Sequence, residues 1–440
     1  MPADRYQLFI RFVKETFLPT LRGQFYDFNV RGRGISRKDS LIGGLTALMD
    51  KLVVIAPAHA DYWKAAALRM SGKKSPAYLV NSSHQYFWKS GYTLHIRPEF
   101  TFSVQAASNR TLRTERGNNE NILGKFLPDG ATNIQHRGSE YANLMPVWEW
   151  DKIPGTTNRD YEGDLGATIS KEWGIPGTTD FVGGLSDGQY GVSAYIQEYD
   201  SVSAKKSWFF FDREVLCLGA GIRSNAEEPI TTTINQAHVN GQMRSDRFKN
   251  NPQLFWLLHD STAYVILDGT SFNARMDIQQ GSWYRINQFQ NKEVVKQPVF
   301  KLWLDHGVKP ENARYAYLVI PGVGQKEIPN YKPDDIRILQ NSANIQAVIH
   351  TPLNLFQAVF YRPGIVQAGD FSVQVNEACI LSVKNINHQP VLYLADPTQK
   401  LKRISITIKL PGTHLSRTLS CELPDGEMAG ATVPFQLFPL

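Results

Sequence analysis

The sequence predicts a mainly β protein built from stacked antiparallel sheets and preceded by a short helical segment. The chain has 440 residues, of which 42% are hydrophobic, which is too much for one ordinary core and indicates two or three domains. Short alternating apolar runs are separated by turn residues, among them 33 Gly and 24 Pro, while charged residues make up only 20%. This composition is typical of a large β-rich protein rather than a helical or disordered one.

Helical periodicity is confined to residues 1–77. The opening MPADRYQLFIRFVKETF predicts an amphipathic helix, residues 41–56 have helical spacing, and residues 60–70 are rich in alanine. Three helices cannot bury all their apolar faces against one another. We therefore expect them either to pack on the β region or to belong to a larger helical domain. The predicted apolar stripe of the first helix consists of Phe9, Ile10, Phe12 and Val13.

Strand patterns begin near residue 78 and predict two β domains, 78–333 and 334–440. The first contains YTLHIRPEFTFSVQAAS, SWFFFDREVLCLGAGI, TAYVILDGTSF and ARYAYLVIPG, which indicate stacked antiparallel sheets. The composition shifts near IPNYKPDDIRI. Beyond it, IQAVIHT, LFQAVFY, VLYLAD and RISITIKL predict a separate small sandwich of ordinary domain size.

The charge balance and the cysteines exclude several classes of protein. A formal charge of +6 is weak support for a polyanionic partner, and no basic run resembles a nucleic-acid-binding tail. No stretch is apolar enough to span a membrane, and the amino-terminal sequence is not a signal peptide. Three widely spaced cysteines suggest free buried thiols rather than disulfides or a zinc site, and they are Cys217, Cys379 and Cys421.

The first candidate site is GRGISR, residues 32–37. Arg33 and Arg37 are four residues apart, so on a helix or compact loop they would share a face and could bind a carboxylate or sulfate bidentately. Two solvated arginines are the alternative interpretation. A second candidate is RTERGNNENILGKF, residues 113–126, a polar segment between strand patterns that contains Glu115 and Asn118. An ordinary turn rich in Asn and Gly is the alternative there.

The third candidate is VWEWDKIPGTTNRDYEGD, residues 147–164. The carboxylates of Glu149, Asp151 and Asp160, with a backbone carbonyl at Tyr161, would supply the hard oxygen ligands that calcium prefers. The spacing is not that of an EF-hand, and solvated loop charges are the alternative. Trp173, in the Gly-containing segment KEWGIPGTT, is the best candidate for stacking on a sugar ring, although most tryptophans are core residues. Hydrolase, NTPase, zinc-protease and dehydrogenase motifs are absent from the sequence.

Taken together, these segments resemble polysaccharide lyase family 8, which contains chondroitin, hyaluronate and xanthan lyases. The resemblance is greatest to the chondroitin AC lyases. The matching motifs follow one another in the family's order along almost the whole chain: Tyr26-Asp27 before GRGISR, SSHQYFWKSGYTLHIR, RTERGNNEN, and WEWDKIPGTT followed by Asp160-Tyr161.

The resemblance implies an α/α toroid followed by a large antiparallel super-sandwich and a small carboxyl-terminal sandwich. It also implies cleavage of acidic, glycosaminoglycan-like polysaccharides by β-elimination. Arg33 matches the catalytic arginine, Arg37 a second arginine near the cleft, and Glu115 a carboxylate that orients this group. Asn118 and Trp173 match substrate-contacting positions. The calcium ligands of the chondroitin AC type are matched by Glu149, Asp151, Asp160 and the backbone oxygen of Tyr161.

The family places an Asn and a His that hold the substrate carboxylate, and a Tyr base, upstream of GRGISR. We therefore expect this sequence to be the carboxyl-terminal part of a lyase, weakly active or inactive alone. His84 and Tyr86 belong to a separate strand motif and are not expected to substitute for that trio. The resemblance further implies a monomer outside the cytoplasm that binds neither nucleic acid nor membrane. A non-catalytic module that binds acidic glycans, and a structural sandwich without glycan affinity, are the alternative hypotheses.

Overall fold

The computed structural model describes residues 2–163, 165, 173–386, 389–412 and 416–437. A small helical segment comes first, a group of antiparallel sheets follows, and a two-sheet sandwich ends the chain. The prediction of a mainly β protein with a helical amino-terminal part is confirmed.

The helical segment packs around Trp63, which is fully buried. Ile10 and Val13 face this core, but Phe9 and Phe12 are 36% and 51% exposed. The predicted stripe was therefore too wide, because each phenylalanine precedes a core residue by one position and so points about 100° away from it. The second helix begins later than the pattern predicted, after two glycines that disfavour helix. The elements are α1 (Ala3–Phe12), a π-helical turn (Val13–Phe17), β1 (Leu21–Arg22), β2 (Phe25–Tyr26), α2 (Thr46–Ile55) and α3 (Ala60–Met70).

The described residues of the central region form three antiparallel sheets. One has eight strands in the order β13-β14-β15-β18-β11-β10-β9-β8, and two have four strands each, β16-β17-β12-β7 and β3-β4-β5-β6. The strands are β3 (Ser83–Phe87), β4 (Tyr92–Ile96), β5 (Thr101–Ala106), β6 (Asp129–Gln135), β7 (Thr157–Arg159), β8 (Val182–Ser186), β9 (Gly191–Tyr199), β10 (Val202–Phe210), β11 (Val215–Ser224), β12 (Pro229–His238), β13 (Arg244–Arg247), β14 (Phe255–His259), β15 (Thr262–Ile266), β16 (Phe272–Gly281), β17 (Val295–Val308) and β18 (Ala313–Pro321).

The carboxyl-terminal sandwich pairs a six-stranded sheet, β19-β20-β21-β24-β25-β28, with a four-stranded sheet, β22-β23-β26-β27. Apolar side chains between the two sheets form its own core. The strands are β19 (Ile336–Asn341), β20 (Ile345–His350), β21 (Leu355–Phe360), β22 (Gly364–Ala368), β23 (Phe371–Val375), β24 (Cys379–Lys384), β25 (Val391–Ala395), β26 (Arg403–Lys409), β27 (Ser416–Glu422) and β28 (Val433–Gln436).

The central strands of the eight-stranded sheet are buried on both faces, whereas the edge strand β13 is exposed. Trp208 and Phe210 of β10 enter the core between the central sheets, whereas Phe209 and Phe211 pack in the core shared with the carboxyl-terminal sandwich. Successive residues of a strand point to opposite faces, so a strand covered on both sides needs the continuous apolar run SWFFF. The carboxyl-terminal sandwich is thus fixed to the sheets that carry the site.

A further core joins the loops that support the site. Trp148 and Trp150 are fully buried against Phe28 and Ile35, so the loop after residue 147 is anchored to the segment that carries GRGISR. The three cysteines are free and buried, as the sequence predicted. Among the described residues, no helix has the length and hydropathy needed to cross a membrane.

Candidate active site

GRGISR forms a short 3-10 turn, Gly32–Ser36, after which Arg37 is extended. Ile35 is fully buried beneath this turn, which fixes its orientation against the core. The turn is closed by the Ser36 hydroxyl, which donates to the carbonyl of Arg33 at 2.9 Å. With Ile35 directed inward, the side chains of Arg33 and Arg37 both reach the loop that contains residues 113–121.

The facing loop is held at its beginning by a buried ion pair. Arg113 donates to both oxygens of Asp129, at 2.8 and 2.5 Å, and both side chains are almost completely buried. The loop then turns back sharply, since Asn118, Asn119 and Asn121 all have positive φ. Asparagine tolerates the left-handed region better than most residues, which explains the run of asparagines in the motif.

Two carboxylates of this loop form ion pairs with the arginines. Arg33 Nε lies 3.4 Å from Glu115 Oε1 and 3.4 Å from Glu120 Oε2. Arg37 binds Glu120 bidentately, with Nε to Oε1 at 2.8 Å and Nη2 to Oε2 at 2.7 Å. The hydrogen bond from Arg37 is the largest cause that lowers the pKa of Glu120, and the same bond raises the pKa of Arg37. Arg33 and Arg37 are therefore brought to the loop that carries Glu115 and Glu120.

Glu120 is the site residue to which sequence reasoning gave no role. Its side chain is only 10% exposed and contacts both arginines. Asn287, from a loop distant in sequence, donates its side-chain amide to Glu120 Oε1 at 3.2 Å. The motif RTERGNNEN contains Glu120, so its membership in that motif was an available signal. Nothing in the sequence pattern around Asn287 indicated a contact with this loop.

Trp173 lies next to Arg33. Its ring is 5.4 Å from the Arg33 guanidinium, in cation–π geometry, and its side chain is 54% exposed. Gly117 lies beneath both groups: a Cβ there would be 2.3 Å from Arg33 Nη1 and 2.7 Å from Trp173 Cζ3. Asn118 is exposed on the same turn. The substrate-contacting positions expected from the sequence thus flank the arginine–glutamate cluster.

The cluster combines two cations with two carboxylates, but one of its hydrogen-bond donors is left without an acceptor. Arg33 Nη1 is buried and has no hydrogen-bond partner among the described residues. A buried unpaired donor is costly, and a carboxylate or sulfate that reached it would relieve that cost. The arrangement can therefore stabilise an acidic group next to an exposed aromatic ring.

Two lysines that the calcium hypothesis did not consider, Lys152 of the loop and Lys301 of β17, contact the carboxylates of the acidic loop. Lys301 pairs with Glu149, and Lys152 Nζ lies 2.6 Å from Asp160 Oδ1. Asp151 is buried, and its Oδ2 accepts from the backbone N–H groups of Tyr161, at 2.7 Å, and Gly163, at 3.2 Å. Burial is the main cause that raises the pKa of Asp151.

The donor chemistry of this loop fits calcium in part. Asp151 Oδ1 is buried without a hydrogen-bond partner, which leaves one hard oxygen free for a cation. Glu149 and Asp160 are engaged by lysines, and the described residues contain no group of three or more acidic, His or Cys side chains arranged to hold a metal. A calcium ion would have to replace the lysine contacts, so the ligand set stays a prediction.

His84 and Tyr86 lie inside the protein. They are 1% and 9% exposed in β3, and His84 Nδ1 is 3.2 Å from the ring nitrogen of His95. Burial, followed by the charge of Arg97, lowers the pKa of His84 to about 3. This histidine is therefore neutral, and neither side chain shares the surface formed by Arg33 and Trp173.

This chain belongs to polysaccharide lyase family 8. The model of the family's super-sandwich domain matches residues 82–332, and that of its carboxyl-terminal β-sandwich domain matches residues 337–405. The sequence-based assignment to this family is confirmed.

Within the family, the chain is similar to chondroitinase AC from Pedobacter heparinus, with 42% identity over 98% of this chain and 63% of that protein. It is 29% identical to a hyaluronate lyase from Thermasporomyces composti, over 74% of this chain and 44% of the relative. A solved chondroitinase AC lyase structure superposes with a TM-score of 0.93 at 42% identity, covering 99% of this chain and 66% of the other. The chain thus spans less than two thirds of the length of these relatives.

Proposed function

We propose that this chain is part of a polysaccharide lyase that degrades acidic, uronate-containing polysaccharides by β-elimination. The observation that carries the proposal is the cluster in which Arg33 and Arg37 meet Glu115 and Glu120 beneath the exposed ring of Trp173. Membership of a lyase family favours this function over the non-catalytic glycan-binding module.

The chemistry explains why such a cluster is useful. Removing a proton next to an ionised uronate carboxylate adds negative charge to a group that is already negative. Fixed positive groups that neutralise this charge lower the barrier, and they act best where water is largely excluded. We assign this electrostatic role to Arg33, whose buried Nη1 retains an unused donor.

Each of the other residues has a distinct proposed role. Glu115 and Glu120 hold the two guanidinium groups in place, so little reorganisation is needed when substrate arrives. Trp173 offers a stacking surface for a sugar ring, and Asn118, exposed on the turn next to Gly117, offers a polar contact. The resemblance assigns proton transfer to a tyrosine, and the roles proposed for the residues named here are binding and charge stabilisation.

The substrate class follows from the relatives. The chain is similar to proteins named chondroitinase AC and hyaluronate lyase, so we propose a polymer of the chondroitin or hyaluronan type. Such polymers are extracellular materials, and we accordingly propose that the protein acts outside the cytoplasm. We also propose, from the family resemblance, that it is a monomer. The formal charge of +6 would favour the approach of a polyanion.

The test combines an elimination assay with a binding assay on the same variants. New ultraviolet absorbance from unsaturated uronate products measures elimination, and retention on immobilised chondroitin sulfate at rising salt measures binding. Arg33→Gln is expected to lower any elimination rate by about 10²–10³-fold, by analogy with loss of one charge-stabilising donor. Trp173→Ala should weaken retention. Arg244→Gln, which removes an exposed arginine of β13, is the charge-matched control.

Two outcomes would contradict the proposal. One is that Arg33→Gln and Trp173→Ala behave like the control in both assays. The other is retention that does not weaken with salt, because binding of a polyanion by exposed cations must be screened. Salt-sensitive retention with little or no elimination is the result expected for this chain alone.

We also propose calcium as a structural ion at Asp151, with Glu149, Asp160 and the Tyr161 carbonyl completing the site. The unpaired Asp151 Oδ1 supports this proposal, and the lysine contacts of Glu149 and Asp160 compete with it. A ligand that binds only the folded state raises the melting temperature, so a chelator should lower it and added calcium should restore it. Asp151→Asn should abolish the response. A melting temperature independent of calcium in the unsubstituted protein would remove the ion from the proposal.

A further inference from the structure

A separate cavity of about 230 Å³ lies between the helical segment and the sheet formed by β3, β4, β5 and β6. None of the proposed active-site residues lines it. The side chains that matter for its chemistry come from both parts of the junction, and they are Lys14, Glu15, Arg22, Tyr62, Arg69 and Ser83.

The cavity is lined by more positive than negative side chains. Lys14, Arg22 and Arg69 are opposed by one carboxylate, Glu15, which is exposed at the edge. In the part of the chain described here, none of these three cations forms an ion pair with a carboxylate. A cavity with this excess of unpaired positive charge favours an anionic occupant.

Arg22 is held rigidly in the cavity wall. Its side chain donates to three backbone carbonyls, those of His136 at 2.9 Å, Arg97 at 3.3 Å and Pro98 at 2.7 Å. The residue is only 3% exposed. Burial lowers the pKa of Arg22 to about 10, partly offset by the more distant charges of Glu140 and Glu99. The guanidinium is therefore charged but poorly neutralised.

Arg69 adds a second desolvated cation nearby. Its Nη1 donates to the Tyr78 carbonyl at 2.8 Å, and burial lowers its pKa. The charge of Arg69 also lowers the pKa of Arg22, so the two groups repel each other. Lys14 approaches from the π-helical turn after α1, with Nζ 5.3 Å from the centre of the Tyr62 ring. Repulsion between cations that backbone contacts hold in position is relieved when an anion binds between them.

We propose that this junction cavity binds a small oxyanion through Arg22, Arg69 and Lys14. The cavity has several times the volume of one water molecule, about 30 Å³, but is smaller than the roughly 300–1,000 Å³ typical of sites for organic ligands. Inorganic sulfate or phosphate, or one acidic group of a sugar, fits these limits better than a whole disaccharide. The proposal does not depend on the proposed lyase function, because it uses no residue of the Arg33 cluster.

Thermal unfolding of the whole 440-residue chain tests this inference. Sodium sulfate, sodium phosphate and sodium glucuronate are titrated at constant ionic strength, with sodium chloride as the reference. A ligand that binds only the folded state should give a saturable rise in melting temperature. The sulfate and phosphate series report an inorganic ion, and the glucuronate series reports a sugar acid. Isothermal titration calorimetry then measures the affinity of whichever anion responds.

Substitutions test whether the anion that raises the melting temperature binds in the cavity. Arg69→Gln is expected to weaken binding at least tenfold, whereas Arg5→Gln, which removes an exposed charge of the same helical segment outside the cavity, should leave binding unchanged. If Arg69→Gln does not fold, Lys14→Gln takes its place, because it removes a cavity charge and retains both arginines. A response that is equal in all variants, or that follows ionic strength without saturating, overturns the proposal. If only Arg33→Gln lost the rise in melting temperature, the anion would bind at the proposed active site and not in the junction cavity.

Discussion

Glu120 determines the charge balance of the candidate active site, because it contacts both Arg33 and Arg37. We expect Glu120→Gln to lower the free energy of unfolding by about 1–3 kcal/mol, since it removes a charge-assisted bidentate contact and leaves two cations less well paired. Urea unfolding measures this change. Because the folded state lowers the pKa of Glu120, its contribution is present at neutral pH and is lost as the pH falls through that lowered pKa. In Glu120→Gln, the free energy of unfolding should lack this pH-dependent contribution.

The matched control is Glu115→Gln on the same loop. The Glu115 side chain is 41% exposed and contacts Arg33 at 3.4 Å, without a bidentate partner. A half-exposed ion pair contributes about 0–1 kcal/mol, so this variant should be clearly less destabilised. Equal losses for the two variants would show that Glu120 has no special positioning role.

Lys206 gives a second prediction for a single residue. It is fully buried in β10, where its Nζ donates to the backbone carbonyls of Asp129, at 3.0 Å, and Gly155, at 2.6 Å. Burial lowers its pKa to about 7, whereas the pKa of an exposed lysine is about 10.4. Between these values the unfolded chain binds the extra proton, so the free energy of unfolding should rise as the pH increases from 7 to about 10.

Lys206→Met should flatten this rise, and urea unfolding at several pH values measures it. Lys89→Met, at an exposed position, is the control and should keep the slope of the unsubstituted protein. An unchanged slope in Lys206→Met would mean that other groups cause the pH dependence.

At the scale of elements, the 113–121 loop needs a glycine at position 117, because a larger side chain would not fit there. Gly117→Ala would place a Cβ against both Arg33 Nη1 and Trp173. We expect it to cost about 1–3 kcal/mol of unfolding free energy through overpacking, and to displace Trp173. Denaturant unfolding and a structure of the variant check both effects.

Gly34→Ala is the control for the loop prediction. A Cβ at Gly34 would meet no atom within 4 Å, although this glycine lies in the turn that carries the arginine. Its unfolding free energy should change by less than about 0.5 kcal/mol. If the two glycine variants behaved alike, crowding at Gly117 would not be the reason for the glycine there.

At the scale of the whole molecule, the eight-stranded sheet connects the two β domains. Phe211 is fully buried in the shared core, and its ring centre lies 4.7 Å from that of His350 in β20. Phe211→Ala should cost about 3–5 kcal/mol, because it leaves a cavity between the domains. Since both domains share this core, we expect calorimetry to show one transition at a lower temperature. Ile365→Ala, at a 53% exposed position of β22, should change little. Two separated transitions in the unsubstituted protein would contradict this coupling.

Local pattern was enough to predict the three α-helices and several of the strands. Alternation identified β4, β5, β18 and β26, because a strand with a buried face must repeat every two residues. It could not give the number or order of the sheets, since β11 pairs with β18 about a hundred residues later in the chain. The same limit applies to α1, where the pattern did not reveal which apolar residues meet Trp63.

The sequence by itself determined the kinds of elements, the motif that contains both arginines, and membership of the family. Periodicity and spacing are local properties, and they persist in the chain whatever its fold. The tertiary structure alone decided that Glu120, supported by Asn287, receives Arg33 and Arg37. The physical reason is that these contacts require a loop reversed at three asparagines and a partner more than 160 residues away, and pairing over such distances depends on how the sheets and loops pack.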